Sequence, residues 1–298
     1  MRKAGDGWTA VNGDCIEVLE GEASESIDYS IFSPPFASLY TYTDDDRDMG
    51  NCLTIEEFFE HLGFLIPHLF RVTKAGRNLS FHCMNLPSSK ERDGFIGIKD
   101  FRGMLIAAFQ RNGWIYHSEV CIWKDPVIAM QRTKAIGLLY KQLRKDSTIS
   151  RQGIADYLVT MRKPGENPCR VTKTHDSFPV SKWQKWASPV WDDIDPGDTL
   201  QYTHARTEKD ERHICPLQLG VIDRGIKLWS NPGDVVLSPF MGIGSEGHEA
   251  IRLGRRFLGI ELKPEYYDWA VKNLAAAERL RDQQSLFTHA EMDHVATS

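Results

Sequence analysis

Cysteine is sparse in this 298-residue sequence, and long apolar runs are absent from it. The six cysteines stand singly, without a C-x-x-C pair, at Cys15, Cys52, Cys83, Cys121, Cys169 and Cys215. This spacing excludes a C-x-x-C zinc site and a dense disulfide framework, and it favours a reducing compartment. No run approaches the ~20 uninterrupted apolar residues that span a bilayer, and no apolar run follows the charges at the N-terminus. We therefore predict a cytoplasmic protein with no membrane contact and no bound metal.

A net positive charge is also lacking, because the formal charge is −5 at pH 7. Binding along a nucleic-acid backbone depends on many contacts between cations and phosphates, so this charge argues against a protein that coats nucleic acid indiscriminately. Basic residues are nevertheless concentrated between Lys124 and Lys145, where Asp125 is the only acid. That stretch either lies along phosphates or forms a solvated loop and helix face, and charge alone favours the solvated face.

Short strand patterns alternate with amphipathic helix patterns along the chain. Strands are predicted at 8–14, 27–32, 78–83, 114–123, 157–161, 234–237 and 257–260. Helices are predicted after Thr54, where Glu57 completes a capping box, and also at 101–111, through 219–226, up to Leu253 and from Pro264. The alternation predicts an α/β fold in which helices cover both faces of a mostly parallel central sheet. The segment 162–212 is rich in Pro, Gly, Trp and charge and indicates a long surface excursion.

A glycine loop, Ser238 to Ser245, follows one of the predicted strands. Gly242 and Gly244 let the backbone turn sharply and approach a ligand closely, while Glu261, at the end of the next strand, can accept hydrogen bonds from two ribose hydroxyls. The loop lacks the G-K-[ST] ending of a phosphate-binding P-loop, so a nucleoside with a compact, non-phosphate group fits better. An ordinary tight turn is the alternative explanation of a G-x-G pattern alone.

A second loop, Ser33-Pro34-Pro35-Phe36, follows the strand predicted at 27–32. Its two prolines fix two φ angles, so Ser33 and Phe36 are held in a set geometry. An exocyclic amine of adenine or cytosine is a poor nucleophile, and the Ser33 hydroxyl and the Pro34 carbonyl can accept hydrogen bonds from it. Phe36 can stack on a base removed from the duplex. Taken alone, however, the tetrapeptide is better explained as a turn beside a buried phenylalanine.

Together the two loops resemble the DNA amino-methyltransferases of the beta group. That family's signature is Asp, Asn or Ser followed by Pro-Pro and an aromatic residue, which Ser33 to Phe36 match, and Pro239 to Ser245 resemble its cofactor loop. The catalytic loop precedes the cofactor loop, which is the circularly permuted order of the beta group. The resemblance implies a Rossmann-like methyltransferase fold in which the two loops meet. It also implies S-adenosyl-L-methionine as methyl donor and, as substrate, the exocyclic amino group of a base flipped from double-stranded DNA.

The resemblance also implies roles for individual residues. Catalytic roles fall on Ser33, Pro34, Pro35 and Phe36. Cofactor contacts fall on Asp14, Cys15, His213, Pro216, Ser238, Pro239, Phe240, Gly242, Gly244, Ser245, Glu261 and Leu262. Two positions depart from the family pattern: Ser238 stands where many members have Asp, and Glu246 stands where a second threonine is common. The contact that many members make to the methionine amino group through that Asp is therefore made differently here.

Four segments follow from the same resemblance: an N-terminal catalytic half (1–124), a target-recognition insert with a return strand (125–212), a cofactor-binding half (213–286) and a flexible tail (287–298). The insert is expected to read DNA, and DNA contacts are predicted for Lys124, Gln131, Arg132, Lys134, Arg144, Lys145 and Arg151. A homodimer is left open, because the apolar helices after the catalytic loop either form a pairing surface or pack in their own core.

Serine in the tetrapeptide favours cytosine N4 slightly over adenine N6 as the target. A carbon-5 methyltransferase is excluded, since it needs an activated thiol in a Pro-Cys loop. Cys83, Cys121, His82 and His117 are interpreted as structural, because transfer from a sulfonium to an amine needs no strong base before attack. Two alternatives remain: a DNA-binding regulator that has lost catalysis, which Ser238 and Glu246 favour, and a methyltransferase that acts on RNA or a protein amine.

Overall fold

A nine-stranded sheet forms the centre of the computed structural model, which describes residues 1–36, 45, 47–127, 140–149, 151–200 and 216–296. The strands of this sheet are β1 (Arg2–Gly5), β2 (Trp8–Asn12), β3 (Ile27–Phe32), β4 (Thr73–Met84), β7 (Ile115–Ile122), β8 (Asp156–Arg162), β9 (Val190–Trp191), β10 (Val235–Ser238) and β11 (Arg256–Glu261). A separate hairpin pairs β5 (Leu86–Ser88) with β6 (Gly97–Lys99).

The strand order is β1-β2-β11-β10-β3-β4-β8-β7-β9. Strands β2, β11, β10, β3 and β4 are parallel to one another, and β8 runs antiparallel between β4 and β7. The predicted mostly parallel sheet is therefore confirmed. From the central pair β3 and β10, the chain proceeds to opposite edges of the sheet, so a crevice opens beyond the carboxyl ends of this pair. The Ser33–Phe36 loop and the glycine loop begin at those two ends.

Helices cover both faces of the sheet, as predicted. They are α1 (Cys15–Glu20), α2 (Ile55–Val72), α3 (Lys90–Asp93), α4 (Phe101–Arg111), α5 (Tyr140–Leu143), α6 (Val180–Trp186), α7 (Leu219–Trp229), α8 (Ser245–Arg252) and α9 (Pro264–Ala296). One face carries a core to which α1, α2 and α4 contribute, and the other carries a core to which α7, α8 and α9 contribute. Among the described residues, no helix is both long and apolar enough to cross a membrane.

Helix α2 illustrates how the local sequence sets these elements. Thr54 Oγ1 accepts a hydrogen bond from the Glu57 backbone N–H at 3.1 Å, and a Glu57 carboxylate oxygen accepts one from the Leu53 N–H at 2.8 Å. The predicted cap at Thr54 is confirmed and satisfies one N–H group that the start of a helix leaves unpaired, whereas Glu57 reaches the N–H of Leu53, one residue before the cap, and the reciprocal bond of a capping box to Thr54 is not made. One apolar stripe of the helix is fully buried, at Phe58, Leu62, Leu65, Ile66, Leu69 and Val72. This helix therefore packs in the core of its own chain.

The four-segment division stays a prediction, but two of its features can be compared with the structure. The return strand expected in the insert is present as β8, which pairs with both β4 and β7. The described part of the segment predicted as a flexible tail is helical, because α9 continues to Ala296, and its flexibility stays a prediction.

Candidate active site

A cavity lies beyond the carboxyl ends of β3 and β10, and both predicted loops line it. Its lining residues are Gly13, Asp14, Cys15, Ser33, Pro34, Pro35, Phe36, Arg47, Asp48, Met49, Pro216, Leu217, Pro239, Phe240, Met241, Gly242, Ile243, Ser245, Glu246, Glu261, Leu262 and Tyr266. Two segments about 200 residues apart in the chain thus meet, because the strands that precede them are neighbours. The implied meeting of the catalytic loop and the glycine loop is confirmed.

Most of the predicted cofactor contacts lie in this lining, with three exceptions. Ser238 is fully buried at the end of β10, and Gly244 is the residue that caps α8. His213 lies outside the described residues. Arg47, Asp48, Met49 and Tyr266 line the cavity without having been predicted, since neither a motif nor a strand end marks them in the sequence.

The glycine loop has the backbone conformation that its sequence predicts. Gly242 has φ +54° and Gly244 has φ +90°, in the left-handed region that side chains other than glycine rarely adopt. This turn directs the Gly242 N–H to one carboxylate oxygen of Glu261 at 2.8 Å, and the Lys263 N–H binds the other oxygen at 2.9 Å. Two backbone donors therefore hold the Glu261 carboxyl in place. Burial raises the pKa of this carboxyl to about 7, although the two hydrogen bonds lower it.

A second carboxyl, Glu246, lies in the first turn of α8 and is 4% exposed. Burial and the nearby Glu261 raise the pKa of Glu246 to about 8. In the described part of the chain, no Lys, Arg or His side chain forms an ion pair with it. The buried hydroxyl of Ser245, which also lines the cavity, likewise has no hydrogen-bond partner among the residues that the structure describes. Because buried polar groups are normally paired, this wall of the cavity is suited to a polar ligand.

Asp14 and Cys15 line the cavity beside Glu261, at the start of α1, because β2 pairs with β11. One Asp14 oxygen caps that helix, accepting from the Ile16 N–H at 2.8 Å and the Glu17 N–H at 3.0 Å. Burial raises the pKa of the Cys15 thiol far above its ordinary value, and it does the same for Cys83. Neither thiol is therefore an activated nucleophile, in agreement with a reaction that does not use cysteine.

The Ser33–Phe36 loop lines the same cavity as the glycine loop, because it follows β3, the neighbour of β10. Phe36 is half-buried, with its ring centroid 6.2 Å from the His82 ring and 6.4 Å from the Phe101 ring. The Ser33 Oγ atom lies 3.1 Å from Nδ1 of His82. Phe36 is thus supported from behind by two rings while it remains part of the cavity lining. His82 was interpreted as structural from the sequence, and its contact with Ser33 was not predicted.

The predicted DNA-binding residues are scattered. Arg144 and Lys145 are exposed just after α5, whereas Arg151 is half-buried and donates to the Gln152 carbonyl at 2.9 Å. The ammonium group of Lys124 contacts the buried carboxylate of Asp156, so its charge is already engaged within the protein. The remaining three residues, Gln131, Arg132 and Lys134, lie outside the described residues. DNA contacts by this set stay a prediction.

One group of three side chains has the composition of a metal site. Atoms of Cys52, Glu57 and His61 that can bind a metal lie within 4.8 Å of one another, and this is the one such group in the described ranges. Each member has an ordinary contact, since Glu57 caps α2 and the Cys52 Sγ atom lies 3.7 Å from Nδ1 of His61. The absence of a bound metal stays a prediction.

The sheet order, with a crevice at its centre, defines a Rossmann-like methyltransferase fold. A model of the DNA methylase family matches residues 27–272, which is well over half of the chain. The chain belongs to this family of N6 and N4 DNA methyltransferases. The order of its two loops, with Ser33–Phe36 before the glycine loop, is the permuted one that the resemblance implied.

Three relatives illustrate the range of the family. DNA adenine methyltransferase YhdJ of Escherichia coli K12 is 26% identical over 277 residues, covering 90% of this chain and 83% of the relative. TTHA0409 of Thermus thermophilus, complexed with S-adenosyl-L-methionine, matches with a TM-score of 0.66 and 21% identity, covering 90% and 95% of the two chains. The cytosine-N4-specific PvuII DNA methyltransferase matches with a TM-score of 0.62 and 16% identity, covering 93% and 92%. The relatives thus include an adenine enzyme and a cytosine enzyme.

Proposed function

We propose that this protein transfers a methyl group from S-adenosyl-L-methionine to the exocyclic amino group of a base flipped out of double-stranded DNA. The observation that carries the proposal is that the Ser33–Phe36 loop and the Gly242–Glu261 pair line one cavity. A methyl donor and an amine must lie next to each other for direct transfer. The cavity has one wall suited to each of them.

The residues of the glycine-loop wall fit the proposed cofactor. Glu261 is held by two backbone N–H groups and retains acceptor capacity for ribose hydroxyls. Glu246 and the buried Ser245 hydroxyl suit the methionine end, whose ammonium group is a donor and a cation. When bound, the cofactor supplies a methyl group on a positively charged sulfur, which is a strong electrophile. No phosphate has to be accommodated, which agrees with the lack of a basic residue in the Ser238–Ser245 loop.

The residues of the Ser33–Phe36 wall fit a flipped base. The Ser33 hydroxyl and the Pro34 carbonyl are acceptors on a backbone made rigid by Pro34 and Pro35, and they can hold the amine so that its lone pair faces the methyl donor. Phe36, supported by the His82 and Phe101 rings, provides a face for stacking. We propose cytosine N4 as the target ahead of adenine N6, since serine at position 33 favours it slightly. The exposed Arg144 and Lys145 are the described candidates for phosphate contacts in duplex DNA.

The direct test incubates the purified protein with methyl-labelled cofactor and unmethylated genomic DNA, digests the DNA to nucleosides and identifies the labelled one. We expect N4-methylcytosine. Methyladenine would contradict the choice of base, and label found only in RNA or protein would contradict the substrate class. Cofactor binding without label in any substrate would support the regulator alternative instead.

A Ser33→Ala variant tests the assignment of the catalytic loop. Removal of the hydroxyl takes away one acceptor for the amine, so we expect turnover to fall roughly 100-fold or more, the effect typical of losing one group that stabilises a transition state. Cofactor affinity, measured by calorimetry, should change little, because Ser33 lies outside the glycine-loop wall. Ser26→Ala, at an exposed turn before β3, is the matched control. Equal losses of turnover and cofactor affinity would show that the catalytic site is elsewhere.

A further inference from the structure

Four polar side chains form a row that begins in the Ser33–Phe36 loop. They come from the adjacent strands β3, β4, β8 and β7, two of them from the residues that follow β3 and β7. The pairing of Phe32 with Phe81 brings Ser33, just after β3, next to His82 on β4. Met84 and Ile122 both pair with Asp156, the first residue of β8. Since side chains alternate between the faces of a sheet, His82, Asp156 and Lys124 project on the same face. The row therefore runs Ser33, His82, Asp156, Lys124.

Each neighbouring pair in this row is in contact. Ser33 Oγ lies 3.1 Å from His82 Nδ1, and His82 Nε2 lies 3.0 Å from a carboxylate oxygen of Asp156. That oxygen also contacts the Lys124 ammonium group. The Asp156 oxygen lies off the axis of the imidazole N–H bond, and such contacts commonly straighten when a substrate is bound.

Asp156 carries a negative charge in the buried part of the row. Asp156 is 2% exposed and His82 is 8% exposed. Burial by itself raises the pKa of Asp156, but the contacts with His82 and Lys124 outweigh it and lower the pKa below its ordinary value. An ionised Asp156 accepts a hydrogen bond and cannot donate one, so it favours the proton of a neutral imidazole on Nε2. Nδ1 is then an acceptor, and the hydrogen bond runs from the Ser33 hydroxyl to His82.

We propose that His82, oriented by Asp156 and Lys124, positions the Ser33 hydroxyl and receives its proton during methyl transfer. The proposal rests on the proposed function and adds a residue to it. With its hydrogen directed to His82, the Ser33 oxygen presents its lone pairs to the cavity, where they accept a hydrogen bond from the amine. The nitrogen–methyl bond forms as the carbon–sulfur bond breaks, and the bonding electron pair stays on sulfur. The methylated nitrogen, now positive, passes a proton to Ser33 Oγ as the Ser33 proton moves to Nδ1, and the resulting imidazolium is paired with Asp156.

This step is compatible with a reaction that needs no base before attack, because the proton leaves as the new bond forms or afterwards. The charged groups that face the imidazole are Asp156 on β8 and Lys124 after β7, while Ser33 and Phe36 face it from the loop after β3. A purely structural histidine would also contact Asp156. Only a histidine that acts through Ser33 makes the two residues dependent on each other in catalysis.

The kinetic test compares His82→Asn, Ser33→Ala and the double variant by single-turnover methylation of DNA. Asparagine can still accept a hydrogen bond but cannot take up a proton, so we expect the rate of His82→Asn to fall about 100-fold, the range of a lost general base, with cofactor affinity unchanged. In the Ser33→Ala background the same change should have no further effect. His117→Asn is the matched control, because His117 Nδ1 contacts the Ser118 hydroxyl at 2.9 Å on β7, outside the cavity lining.

Two kinetic outcomes would overturn the relay alone: an unchanged rate in His82→Asn while the wild type methylates DNA, or losses that multiply in the double variant. A wild type that labels no DNA would overturn the proposed function and the relay step with it. Nitrogen-15 NMR of histidine side chains in the wild-type protein gives a readout that does not depend on activity or on the stability of a variant. We expect protonated Nε2 and unprotonated Nδ1 for His82; a proton on Nδ1 would reverse the Ser33 hydrogen bond and contradict the proposal.

Discussion

At the scale of single residues, the two carboxyls of the cavity differ in how they are satisfied. Glu261 accepts two backbone hydrogen bonds, so its position is fixed before any ligand arrives. Glu246 is 4% exposed and is paired with no cation in the described part of the chain. A buried charge without a partner is unfavourable, and such a group remains neutral until a cation approaches. We therefore expect Glu246 to pair with the ammonium group of the proposed cofactor, in place of the acid that the family resemblance implies at the position of Ser238.

Cofactor affinity should depend on pH through Glu246. The pKa of this carboxyl is about 8 in the free protein. In the proposed function the ammonium group of the cofactor pairs with the ionised form. We expect affinity to increase as pH rises from about 6 to 9, with release of a proton on binding below the pKa. Calorimetry in buffers of different ionisation enthalpy measures that proton. Glu246→Gln should bind weakly and lose the part of the pH dependence that belongs to Glu246, leaving that of Glu261, whose pKa is about 7. Glu265→Gln, exposed on α9, should behave as wild type. Proton uptake on binding would contradict this assignment.

The residues that could be predicted from the sequence are those whose role depends on local order. Ser33 directly follows β3, Gly242 lies in the loop after β10 and Glu261 ends β11, so a motif and a strand end were sufficient to single them out. His82 could not be found in this way, because its contacts with Ser33 and Asp156 depend on the register of β4 against β3 and β8. The contact of Lys124 with Asp156 could not be found for the same reason, because the charges along a segment do not show which of them form pairs.

At the scale of elements, the turn between β10 and α8 aligns the Gly242 N–H with Glu261, and Gly244 is the residue that permits it. We expect Gly244→Ala to weaken cofactor binding and to reduce stability by ~1–2 kcal/mol, the usual cost of a left-handed alanine. Its Cβ would also lie 3.3 Å from Ala270 on α9. Gly254→Ala is the control, with φ +72° and nothing within 4 Å, and should reduce stability without affecting binding. Equal cofactor affinity in the two variants, measured by calorimetry, would contradict a role for the Gly244 turn.

Long, buried elements were predictable and short or exposed ones were not. The seven predicted strands correspond to β2, β3, β4, β7, β8, β10 and β11, which contain most of the buried sheet residues. Strand β1 was missed because all four of its residues are exposed, so it carries no apolar alternation. Strand β9 has two residues and exists through its pairing with β7, far away in the sequence. Patterns within a segment do not contain such pairings.

At the scale of the whole molecule, the adjacency of β3 and β10 explains why the order of the two loops along the chain is free to vary. A cavity at a switch in strand order needs two neighbouring parallel strands, and it does not matter which of them comes first in sequence. Here the catalytic loop comes first, and the return of the chain through β8 and the insert lies between the loops. Strand order was not predictable from the sequence patterns, whereas the alternation of strands and helices predicted the layers.

The buried carboxyls should also affect the stability of the entire protein. Glu246 has an ordinary pKa of 4.5 and a folded-state pKa of about 8, so between these values the folded protein retains a proton that the unfolded chain releases. The contribution of Glu246 to the free energy of unfolding is then fully present below about pH 4.5. It decreases as pH rises from about 4.5 to about 8, by up to about 1.4 kcal/mol per pH unit. Urea unfolding at pH 6 and pH 8 measures this dependence. Other groups titrate alike in wild type and Glu246→Gln, so the wild type should lose more stability than the variant between the two pH values. Equal losses would show that the Glu246 carboxyl is ionised and compensated in the folded protein.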